Sequence, residues 1–128
     1  MSVVKHQETD FTNVLNLAKS LNDSENHVYL LFMASQQEDG VRWCPDCVKA
    51  EPIIDQHLEE AQLKKNVNLI VVDLEKTNLR DPSNPFATSD EFKLKKVPTL
   101  MEWKGEKQLI EEECWDKDLL KSLFKPVV

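Results

Sequence analysis

Apolar residues fall along this 128-residue chain in two rhythms, one continuous and one at intervals of three or four. Val28-Tyr29-Leu30-Leu31-Phe32-Met33-Ala34 and Val67-Asn68-Leu69-Ile70-Val71-Val72-Asp73 are nearly unbroken apolar runs, the pattern of strands covered on both faces. Phe11, Val14, Leu15, Ala18 and Leu21 instead share one face at helical spacing, with Thr9 or Asp10 as the cap. Residues 2 to 5 predict a short strand before that helix, and Asn22-Asp23-Ser24-Glu25-Asn26 ends it. Cys47, Ala50, Ile54, Leu58 and Ala61 predict a second helix running to about Lys65. Pro52 lies inside it and predicts a kink, since an interior proline removes a backbone hydrogen bond. A strand, a helix and a strand in that order imply a parallel crossover.

Residues 74 to 96 are polar, with Pro82 and Pro85, and offer only a weak helix from Ser89 to Leu94. Thr99-Leu100-Met101-Glu102-Trp103 and Lys107-Gln108-Leu109-Ile110, joined by Lys104-Gly105-Glu106, predict a β-hairpin. Leu119, Leu120, Leu123 and Phe124 line a final helix capped by Asp116. The expected order is βαβαβ(α)ββα: an α/β fold with a central mixed sheet flanked by helices, in one domain spanning residues 1–128.

Charge narrows the partners. Sixteen basic residues against 23 acidic ones give a net charge of −7, which argues against nucleic acid or an anionic membrane as the main partner. Val28 to Ala34 is the longest apolar run and is far too short to cross a bilayer. The first residues, Met1 to Glu8, carry no apolar leader core, and three cysteines do not make a disulfide scaffold, so a cytoplasmic location is expected. No glycine-rich cradle is present to hold a nucleotide phosphate.

The chemistry concentrates in Trp43-Cys44-Pro45-Asp46-Cys47. Two cysteines three positions apart at a helix start can close a small disulfide and open it again. Cys44 would be the N-cap, Pro45 would take the first helical position, where its missing N–H costs nothing, and Asp46 would follow in the first turn. The free N–H groups and the positive end of the helix dipole favour a thiolate on Cys44, the expected nucleophile. Cys47, one turn further on and facing inward, is the expected resolving thiol. The Asp46 carboxylate opposes thiolate formation yet is placed to relay a proton; it reads equally as a solvated helix-start acid. Trp43 reads as part of a docking surface or as core filler.

A Cys-x-x-Cys pair is also half of a zinc site, but structural zinc wants a second close-spaced pair and none exists. Cys114 sits among Glu111, Glu112 and Glu113, which disfavour its thiolate, and His6, His27 and His57 show no ligand spacing. Redox chemistry is the favoured reading.

The motif, with a proline eight positions after Cys44 and Val97-Pro98-Thr99 before a strand, resembles the thioredoxin family over nearly the whole chain. The resemblance implies a thioredoxin-like fold in which Cys44 attacks, Cys47 resolves and Trp43 and Pro45 flank the site. It also implies that Pro98 is a cis-proline and that Val97 pairs with substrate backbone, although X-Pro bonds are ordinarily trans. The function it implies is disulfide reduction through the Cys44–Cys47 couple; the polar additions around the motif narrow the expected substrates to small disulfides such as cystine and selected protein disulfides. No bound cofactor is expected; electrons would come from NADPH through thioredoxin reductase, and the protein would act as a monomer.

Two departures stand out. Pro-Asp lies between the cysteines, and Leu31 occupies the place of the buried aspartate expected in the strand before the motif. The Ser35–Arg42 connection and the stretch from Glu75 to Lys96 are expected to wall the cleft, with Glu38, Asp39 and Asp46 disfavouring anionic substrates. The reading from another class is a binding module with an idle cysteine pair.

Overall fold

A computed structural model of the chain describes residues 3–22, 26–60, 66–76, 81–105 and 107–124. Five strands form one mixed sheet in the order β1-β3-β2-β4-β5. They are β1 (Val3–Glu8), β2 (Asn26–Ala34), β3 (Asn66–Leu74), β4 (Thr99–Glu102) and β5 (Gln108–Ile110). Helices α1 (Phe11–Leu21), α2 (Pro45–Glu60), α3 (Pro85–Thr88) and α4 (Lys117–Leu123) cover the sheet, with a 3-10 segment at Glu111–Trp115.

The two apolar runs are the central strands. β3 pairs in parallel with β1 on one side and β2 on the other, and β2 pairs antiparallel with β4. Phe32, Leu30, Leu69 and Ile70 are fully buried, as strands covered on both faces require. β2, α2 and β3 therefore make the expected crossover between adjacent parallel strands, and Cys44 lies just beyond the carboxyl end of β2.

The first strand is longer than its sequence suggests. It runs through Lys5, His6, Gln7 and Glu8 because all six residues register against Val67–Val72 of β3. An edge strand with one side open tolerates polar residues, so the apolar pattern stops before the strand does. Asp10 caps α1 by accepting a hydrogen bond from the Asn13 N–H at 3.0 Å, and Asp116 caps α4. α2 continues on both sides of Pro52 to Glu60. Its expected extension to Lys65, part of the turn at 22–26, and Glu106 of the hairpin connection lie outside the described residues.

The weak helix expected from Ser89 to Leu94 is corrected. The helical turn comes earlier, at Pro85–Thr88, because Asn84 caps it through the Phe86 N–H at 3.0 Å and Pro85 takes the first helical position. Ser89 instead ends the turn, and its hydroxyl accepts from the Phe92 N–H at 3.3 Å. Phe86 and Phe92 pack edge-on against Phe32 of β2, with ring centres 5.6 and 5.3 Å apart. Aromatic pairs of this geometry contribute about 0.5–1.5 kcal/mol each beyond their buried area. This cluster anchors an otherwise polar segment to the sheet and so sets where Val97 and Pro98 arrive.

Candidate active site

Helix α2 starts at Pro45, and the carbonyl of Cys44 accepts the first two helical N–H groups, from Cys47 at 3.0 Å and Val48 at 3.2 Å. Cys44 is thus the capping residue and remains partly exposed. One turn later the Cys47 side chain is fully buried, and its sulfur accepts the Ala34 N–H at 3.4 Å. The two thiols are unbridged. Burial pushes the Cys47 thiol well above the ordinary cysteine range, the neighbouring Cys44 adds to this, and the Ala34 N–H and the Arg42 charge pull the other way.

Across from the motif, the Val97–Pro98 peptide bond is cis. The Cys44 thiol lies 3.8 Å from the Val97 carbonyl oxygen, and Val97 and Pro98 are buried. Trp43 is half-buried rather than a core residue: its indole N–H donates to the Leu74 carbonyl at 3.0 Å, fixing the ring between the motif and the end of β3. Trp103, by contrast, is buried and packs on Phe92.

Trp43, Cys44, Asp46, Lys95, Lys96, Val97 and Glu111 line an open cleft of about 320 Å³. The composition of its wall differs from the expectation. The Ser35–Arg42 connection contributes nothing to this lining, and the exposed Asp39 accepts the Val41 N–H of its own loop at 2.9 Å. The segment before Pro98 does line it, through two lysines; Lys96 pairs with Glu111 at 2.9 Å. Of the three acids expected to disfavour anions, Glu38, Asp39 and Asp46, only Asp46 lines the cleft, and there Lys95 and Lys96 stand against Asp46 and Glu111. Among the described residues no hydrogen bond links Asp46 to either cysteine. A second cavity of about 280 Å³, near Thr9, Asp10 and Asn84, contains no cysteine.

Sequence reasoning missed Arg42. It is buried, with a two-pronged ion pair to Glu51 at 3.0 Å for each contact, an ion pair to Asp73, and a hydrogen bond to the Ala34 carbonyl at 2.7 Å. Burial disfavours the Arg42 charge, but the hydrogen bonds it donates to the Glu51 and Asp73 carboxylates outweigh it and hold the guanidinium protonated. Burial likewise acts to raise Glu51, and Arg42 overcomes it, holding the acid below its ordinary value. Two signals were present: Glu51 falls one helical turn after Cys47, and Asp73 ends an apolar run. Leu31 is fully buried and offers no acid in its place.

Cys114 is a packing residue in this geometry. Its thiol points to the Leu109 carbonyl at 3.3 Å, and burial, reinforced by Glu113 and Glu112, pushes it up to about 12.

Residues 6–126 match the family model described as thioredoxin domain-containing protein 17-like, thioredoxin domain. The chain belongs to this family. It is 30% identical to thioredoxin domain-containing protein 17 of Danio rerio over 122 residues, 94% of this chain and 96% of the relative. It is 33% identical to the Homo sapiens protein of that name over 76% of each chain. Thioredoxin-like protein Clot of Arabidopsis thaliana is 40% identical over 61% of this chain and 58% of that protein. Membership accounts for the mixed sheet with its motif at the start of α2. Among the described residues no helix is long and apolar enough to cross a membrane.

Proposed function

We propose that this chain is a thiol-disulfide oxidoreductase that reduces disulfides through the Cys44–Cys47 couple. The observation that carries the reading is the pairing of a partly exposed Cys44, at a helix start and beside Val97, with a Cys47 buried one turn on against Ala34. Membership in the thioredoxin domain-containing protein 17-like family supports it.

The thiolate of Cys44 attacks one sulfur of a bound disulfide, and the other substrate sulfur leaves as a thiolate and takes a proton. Cys47 then loses its proton and attacks Cys44, forming the intramolecular disulfide and releasing the second thiol. The buried Cys47 stays protonated until the mixed disulfide forms. Trp43 and Pro45 border the entering substrate, and the Val97 backbone beside Pro98 receives the substrate chain. Asp46 lines the same cleft and relays protons between the thiols and water.

The substrate class proposed is small disulfides such as cystine together with a few protein disulfides that fit the wall of Lys95 and Lys96. Thioredoxin reductase, drawing on NADPH, returns the couple to the dithiol; the protein acts in the cytoplasm as a monomer. Turnover of cystine and insulin, side by side with thioredoxin reductase and NADPH, tests this reading. Cystine should turn over efficiently and insulin slowly. No turnover of either, with a couple that stays reduced in the presence of cystine alone, would favour the binding module instead.

A further inference from the structure

Cys47 and Arg42 engage the backbone of the same residue. The Ala34 N–H donates to the Cys47 sulfur, and the Ala34 carbonyl accepts from Arg42. Arg42 is therefore held one residue's backbone away from the resolving thiol, in a chain whose β2 carries the apolar Leu31 and no acid. We propose that Arg42 is a positioning residue for resolution, its fixed charge stabilising the Cys47 thiolate while Glu51 and Asp73 hold the guanidinium in place. This rests on the oxidoreductase reading above.

The step balances with water as the final proton acceptor, reached through the Asp46 relay proposed above. In the mixed disulfide between Cys44 and a substrate sulfur, the Cys47 thiol gives its proton to water and its sulfur attacks the Cys44 sulfur. The Cys44–Cys47 bond forms, the bond from Cys44 to the substrate breaks, and the substrate sulfur leaves with the electron pair and is protonated by water. The difficult moment is an anion on a fully buried sulfur, and a nearby cation lowers that cost.

The groups around Cys47 come from several elements. Its own helix supplies Cys44, Asp46, Lys49 and Glu51, β3 supplies Asp73, and the loop before the motif supplies Arg42. The 3-10 segment packed on α2 carries Glu111, Glu112, Glu113 and Cys114, and Lys95 and Lys96 stand on the cleft side. Arg42 is the buried cation of this set. Its five donors in a rigid fork suit the two-pronged grip of Glu51, which a lysine cannot reproduce in full.

The test is a single turnover of the reduced, full-length protein, in excess over dithionitrobenzoate, followed by release of the coloured thiolate from pH 5 to 10. The first phase scales with protein concentration and reports Cys44; the second is unimolecular and reports Cys47. Arg42→Gln should move the midpoint of the second phase upward by about one pH unit, a loss of roughly tenfold at neutral pH, and leave the first phase within about twofold. Arg42→Lys should recover most of the shift, and Asp73→Asn should move the midpoint down.

A folded Arg42→Gln whose second phase keeps the wild-type profile overturns the proposal, as does an equal shift in both phases. If Arg42→Gln does not fold, Asp73→Asn decides: an unmoved midpoint overturns it. A wild-type protein that shows the first phase and never the second defeats the oxidoreductase reading itself, a separate result.

Discussion

The Cys44 thiol lies 3.8 Å from the carbonyl oxygen of Val97, a residue 53 positions later in the chain. Under the proposed function, a disulfide that reaches Cys44 passes the backbone beside Pro98. That single contact joins the start of α2 to the entry of β4, and the expected behaviour of variants follows from it and from the burial of the other two thiols.

Trapping separates the two cysteines of the motif. Cys47→Ser should accumulate mixed disulfides through Cys44 when offered cystine or protein disulfides, because the resolving thiol is gone. Cys44→Ser should accumulate none, since Cys47 is fully buried. Mass spectrometry after acid quenching reads the outcome, and adducts on Cys44→Ser alone would reverse the assignment.

Alkylation should be selective among the three thiols. In the reduced native protein at about pH 7.5, iodoacetamide should label Cys44 while Cys47 and Cys114 stay unmodified until denaturant is added. Burial withholds both thiols from the reagent and raises their proton affinity, Cys114 to about 12, so its thiolate is below about one part in ten thousand at that pH. Peptide mapping of the labelled protein checks it.

Charge in the cleft should set substrate preference. Lys95→Glu with Lys96→Glu should slow reduction of the dianionic dithiodipropionate about five- to tenfold at low salt, because one charge pair at contact in water is worth about 1 kcal/mol. Hydroxyethyl disulfide, which is uncharged, should be affected little, and the difference should shrink in about 0.5 M salt. Equal slowing of both disulfides would remove the lysines from substrate selection.

Acid should weaken the fold through Glu51. Its folded value lies below its ordinary 4.5, so the Arg42–Glu51 pair stabilises the protein fully above that value and loses its contribution as pH falls through the folded value. Glu51→Gln should therefore cost about 1.5–3 kcal/mol at pH 7, the range for a hydrogen bond to a charged group, and progressively less below about pH 4. Urea midpoints at several pH values test this, and a cost that does not vary with pH would refute the sign.

The sequence by itself determined the elements that are driven by local pattern. Continuous apolar runs made β2 and β3 legible, helical spacing exposed α1, α2 and α4, and Asp10 and Asp116 were readable as caps because side-chain capping acts within three residues. The placement of the two motif cysteines was legible for the same reason: helix geometry over four residues puts Cys44 at the partly exposed start and Cys47 inside.

Tertiary structure decided everything that depends on partners far along the chain. The polar half of β1 is a strand only because β3 offers its backbone, and the turn at Pro85–Thr88 is fixed by Asn84 and by aromatic packing on Phe32. The lysine wall and the Arg42–Glu51–Asp73 cluster combine residues up to about 70 positions apart, and no local rhythm marks them. Arg42 looks like one more loop charge in the sequence; it is buried because three acceptors from β2, α2 and β3 converge on it, and a guanidinium leaves water only where such acceptors replace it.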